Sequence, residues 1–161
     1  MNAVKKIKVI LGTELLLPQL MIVPTRGATE DEIRQEETLL GRPLCPDHIA
    51  ILRCWNGIAM DVVRLFGCGD NAGEVGRLSE LQIKGEFKVK GVLVVGSDAS
   101  GFAYLQAADR RVFSLDPDGG DFKQIAGNLH DFFERLVFGP DAASFAGQDW
   151  LAELREAGIV T

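Results

Sequence analysis

The sequence is poor in the residues that do most enzymatic and metal chemistry. Histidine occurs only twice, as His48 and His130. Cysteine occurs three times, as Cys45, Cys54 and Cys68, with no CxxC pair. An odd number of unpaired cysteines argues against a disulfide framework and for a reducing compartment such as the cytoplasm. Basic residues are outnumbered, 17 against 23 acidic, for a net charge of −6. That balance disfavours nucleic-acid binding, which needs clustered Lys and Arg, and suits a basic protein partner drawn in by long-range attraction. Long apolar runs are missing too. Lys5, Lys6 and Lys8 precede Val9-Ile10-Leu11 and Leu15-Leu16-Leu17 as in a signal peptide, but Glu14 and Pro18 interrupt the run and no small-x-small site follows. The stretch is also too short for a membrane span.

What is present fits an ordinary globular chain. Its 161 residues are 47% hydrophobic and 25% charged, enough for a single domain with its own core. The chain is organised around residues 91 to 116. Val92-Leu93-Val94-Val95 is a β-branched apolar run. Phe102 to Gln106 alternates, and Val112 to Leu115 is a third short run. Gly96 to Gly101 and Ala107 to Arg110 separate them, which predicts an antiparallel meander with the first run central.

Helices are expected on both sides of the meander, giving an α+β fold rather than a parallel βαβ alternation. Val4, Ile7, Leu11 and Leu15 suggest a helical stripe in residues 1–28, an N-terminal extension, and Gln19 to Val23 a strand end. Thr29 with Glu32 forms a capping-box signature, Gly41 a helix stop, and Ile33, Leu39 and Leu40 an inward face. Pro46 opens a second helix with Ile49, Leu52 and Trp55 on one stripe, ended by Asn56-Gly57. Met60 to Phe66 reads as a strand, Val75 to Leu81 as a short helix, and Lys84 to Lys90 as a lysine-guarded edge strand. Pro117 to Gly120 is a turn. Asn128 caps a helix carrying Leu129, Phe132, Phe133 and Leu136, stopped by Gly139-Pro140. Asp149 to Ala157 is the last helix.

Reactive constellations are scarce. Gly67, Gly69 and Gly73 follow a strand but lack the GxGxxG spacing and the Lys-Ser/Thr ending of a phosphate loop. Cys45, His48, Cys54 and Cys68 offer four possible zinc ligands without the usual paired spacing; no metal or cofactor is expected. His130, in the first turn of its helix, reads as a solvated face residue. Asp98, Asp109, Asp116 and Asp118 cluster near turns. An Asp98/Asp116 pair would be the basis of a hydrolase reading, whereas turn-stabilising aspartates are the ordinary one.

The capped helix, Leu44-Cys45-Pro46-Asp47 and the helix ending Trp55-Asn56-Gly57 together resemble the start of the SUKH superfamily. That superfamily comprises Smi/Knr-type cell-wall regulators of fungi and many bacterial immunity proteins. Gly96 to Gly101 followed by Phe102-Ala103-Tyr104 resembles its strand turn, and Ile125 to Phe133 its Phe-rich final helix. The resemblance covers about residues 29 to 138; Cys45 departs from the family's Leu-Pro pair by one inserted residue. What it implies is a non-catalytic protein-binding module, most often one that neutralises a toxin, here one with a basic domain; an adaptor or scaffold is the alternative. Trp55, Asn56, Asp98 and Tyr104 are the expected partner-binding residues, although Trp55 and Tyr104 suit a core equally well. Oligomeric state is not readable from the sequence.

Overall fold

The structure, a computed structural model, describes residues 2–13 and 26–161. Six strands pair antiparallel in chain order: β1 (Ile58–Ala59), β2 (Arg64–Leu65), β3 (Leu93–Ser97), β4 (Ala103–Gln106), β5 (Val112–Leu115) and β6 (Phe122–Ala126). The fold is α+β with a meander sheet, as the sequence predicts. β3 lies between β2 and β4, and its Leu93, Val94 and Val95 are buried. Its register slips between Val94 and Gly96. Glycine is required there because a Cβ on Gly96 would overlap the Arg64 carbonyl oxygen.

The helices are α1 (Ala3–Leu11), α2 (Glu30–Leu40), α3 (Pro46–Cys54), α4 (Leu129–Asp131), α5 (Ala142–Ala146) and α6 (Gln148–Glu156); α4 runs on as a π-helical turn, Phe132–Val137. The sheet face carrying Tyr104 and Gln106 meets Phe132, Phe145 and Asp47 of these helices. On the other face Phe113 stacks on Phe122 at 4.7 Å between ring centres, and Phe87 leans on Phe122 at 5.6 Å.

The capping box of α2 forms as its sequence dictates: the Thr29 side chain accepts from the Glu32 amide, and the Glu32 carboxylate accepts from the Thr29 amide at 2.8 Å. Gly41 ends the helix at φ 70°. Leu39, however, is 59% exposed, and Glu36 is buried instead. At about 3.6 residues per turn, the stripe through Ile33, Glu36 and Leu40 leaves Leu39 on the solvent side. In α3 the buried face is Asp47, His48, Ile51 and Leu52, with Ile49 only half-buried.

Several expectations need correction. The N-terminal helix forms as expected, but its buried stripe is Ala3, Ile7 and Ile10, packed against α3 and the last third of the chain, with Val4 and Leu11 only half-buried. Leu15 and the Gln19 to Val23 segment lie outside the described residues. Met60 to Phe66 is not one strand: the Met60 amide donates to the Val63 carbonyl at 2.9 Å and closes the β1–β2 turn, which leaves only Arg64–Leu65, β2, as strand within it. Val75 to Leu81 is no α-helix: it holds the last residue of one 3-10 helix, Asp70–Val75, and a second, Leu78–Glu80. Lys84 to Lys90 makes no strand; the sheet ends instead at β6, a strand not expected from the sequence.

The π turn is held by the Phe138 amide donating to the Phe133 carbonyl. Gly139 permits its ending, since a Cβ there would strike the Glu134 carbonyl. Trp150 of α6 then locks the turn by donating from Nε1 to the Val137 carbonyl at 2.7 Å.

Candidate functional site

Two clefts adjoin the β3–β4 turn. The larger, about 490 Å³, lies between the sheet and α5, with Asp98, Phe102, Tyr104, Lys123, Leu136 and Phe145 in its wall. The smaller, about 330 Å³, lies on the other side of the turn and includes Asp61, Arg64 and Asp98.

The turn is built on Asp98. Its Oδ1 accepts from the Ser100 amide at 2.9 Å and the Phe102 amide at 3.1 Å, while Oδ2 accepts from the Tyr104 hydroxyl at 2.7 Å. Short-range bonding of this kind is what an aspartate ahead of a Ser-Gly turn favours. The Tyr104 ring packs 5.3 Å from Phe132 and 5.6 Å from Phe145, measured between centres. Burial, reinforced by the Asp98 bond, holds the Tyr104 hydroxyl well above its ordinary pKa. A phenol kept neutral, donating to a carboxylate, is a positioning element rather than a nucleophile.

Of the four expected binding residues, the structure brings two together. Asp98 and Tyr104 share the larger cleft, although Tyr104 is only 3% exposed. Trp55 and Asn56 line neither cleft. Trp55 is buried at the end of α3. Asn56 is a buried clamp: Nδ2 donates to the Cys68 carbonyl at 2.9 Å, and Oδ1 accepts from the Cys68 amide at 2.6 Å. Both therefore belong to the core and not to an exposed contact face. Lys123 and Phe145, absent from the sequence reading, do line the cleft.

The remaining candidates are dispersed. Asp109 pairs with Arg111 at 2.8 Å, and Asp116 Oδ1 accepts from the Asp118 amide within its own turn. His130 is not a solvated face residue: its Nδ1 accepts from the Ala3 amide at 3.1 Å and ties α1 to α4. His48 is buried, and neither ring nitrogen has a hydrogen-bond partner among the described residues. Burial is the main cause lowering its pKa to about 4. All three cysteines are free thiols. Burial raises the Cys68 pKa to about 12, so it resists becoming the reactive thiolate. Among the described residues no group of three or more His, Cys, Asp or Glu side chains is gathered for a metal ion. Nor, among them, is any helix long and apolar enough to cross a membrane. No family model and no curated protein matches the chain.

Proposed function

We propose that this chain is a non-catalytic protein-binding module of the immunity type, which blocks a partner protein by occupying its surface. One observation carries the reading. The carboxylate best placed for acid–base work, Asp98, spends both oxygens on its own turn and on Tyr104. General acid–base chemistry needs a positioned group free to move a proton. The cleft's serines sit away from any histidine: His48 and His130 are not in its wall, and the Ser144 hydroxyl donates to the Asp141 carbonyl. A mixed apolar and polar hollow without such a group suits recognition. The SUKH resemblance of residues 29 to 138 supports the same reading, with a toxin as partner.

The test is co-expression with the product of the adjacent gene. A stable complex and rescue of growth are expected. Failure of both would sink the toxin reading and leave an adaptor.

A further inference from the structure

The two ends of the sheet carry opposite charge. Because the strands pair antiparallel in chain order, the β1–β2, β3–β4 and β5–β6 turns share one end, and the β4–β5 turn lies at the other. The three-turn end holds Asp61, Asp98, Asp116, Asp118 and Asp121, with Arg64 and Lys123 as its cations. At the opposite end stand Lys90, Arg110 and Arg111, with Asp109 paired to Arg111, and Arg42 donates to the Gly91 carbonyl.

The three turns form one surface. A Cβ on Gly101 would lie 3.3 Å from the Pro117 ring, so the second and third turns touch. Asp61 and Asp98 share the smaller cleft, so the first and second adjoin. Asp98–Gly101 is therefore a ridge between two hollows of about 490 and 330 Å³. Asp61, Asp118 and Asp121 are exposed, and no ion pair among the described residues uses them. Their charge is available to a partner.

We propose that this acidic end is the docking face, and that its occupant is a cationic segment of a partner protein. An Arg or Lys side chain enters the smaller cleft beside Asp61 and Asp98. An aromatic or aliphatic neighbour enters the larger cleft against Phe102 and Phe145. This rests on the protein-binding reading above and adds the face and the partner's chemistry. Unpaired carboxylates speed encounter with such a segment, and an anchored aromatic side chain slows its departure.

The test titrates the ¹⁵N-labelled full chain with the blocked peptides Arg-Gly-Phe-Gly-Arg and Glu-Gly-Phe-Gly-Glu. The Arg peptide should shift the amides of Ser97 to Gly101 and of Asp118 to Asp121. The triple variant Asp61→Asn, Asp118→Asn, Asp121→Asn should weaken it about tenfold, as loss of three exposed pairs would. In about 1 M salt, where the screening length falls to about 3 Å, the binding should disappear. Equal binding of both peptides at this end, no shift with either, or an unchanged affinity in the triple variant would overturn the proposal. So would self-association of the chain that the triple variant abolishes, since a second copy would then be the occupant. The outcome is separable from that for function. A toxin that binds wild type and triple variant equally removes the face and leaves the function. Peptide binding at this end, with no complex from the adjacent gene, keeps the face and removes the toxin.

Discussion

The Tyr104 hydroxyl reaches 2.7 Å to Asp98 Oδ2 and ties the first residue of the β3–β4 turn to the strand that leaves it. The bond makes the ridge between the clefts a rigid object, with one end of the tie packed against Phe132 and Phe145. Tyr104→Phe should cost about 1 kcal/mol of stability, the usual net worth of one such bond. Asp98→Ala should cost more, because it also frees the Ser100 and Phe102 amides. Denaturant titration of both variants checks the order; a Tyr104→Phe loss larger than that of Asp98→Ala would contradict it.

Glu36 should prove costly to remove. It is wholly buried, pairs with the Arg77 guanidinium, and accepts from the Gly69 amide and the Ser79 hydroxyl at 3.2 Å each. Glu36→Ala leaves those donors facing an apolar void, for a loss of about 3–5 kcal/mol. Asp70 also pairs with Arg77 but is 95% exposed, so Asp70→Asn should change little. Urea midpoints of the two variants give the comparison.

His48 should impose an acid limit. Its pKa falls from 6.5 to about 4 on folding, so between those values the unfolded chain takes up a proton that the folded chain refuses. The contribution of neutral His48 is therefore full above pH 6.5 and is lost progressively as pH falls toward 4, by roughly 3 kcal/mol in all. Asp47 beside it opposes the shift and Arg42 favours it. His48→Leu should flatten this part of the stability–pH curve. An unchanged slope in that variant would assign the acid sensitivity elsewhere.

The N-terminal helix should be indispensable. Ile7 and Ile10 are fully buried, and either changed to Ala should cost about 2–5 kcal/mol. A chain beginning at residue 26 should lose its cooperative thermal transition, which calorimetry would show.

Legibility in the sequence followed the range of the interactions. The α2 cap was readable because Thr29 and Glu32 are three residues apart. The Asp98 turn was readable because its partners, Ser100, Phe102 and Tyr104, are close in the chain. Asn56 gave the right helix end but the wrong role, since its partner Cys68 lies across a loop. Strand β6 escaped because only Ala126 of its five residues is fully buried, leaving no clear alternation. Lys123 and Phe145 reach the cleft only through the packing of β6 and α5 against the same sheet, which no local pattern encodes.

The Ala3 amide finds its acceptor on His130, 127 residues along the chain, and the Lys6 ammonium reaches the Ile159 carbonyl. Helix α1 is thus made well before the partners that tie it down. Until residues near 130 emerge, Ile7 and Ile10 have no complete surface to cover them. A growing chain must carry that apolar stripe incompletely covered until then. Closing so long a loop comes late and slowly, so slowed elongation or a shortage of chaperone should reduce the yield of folded protein before any change in its final stability is felt.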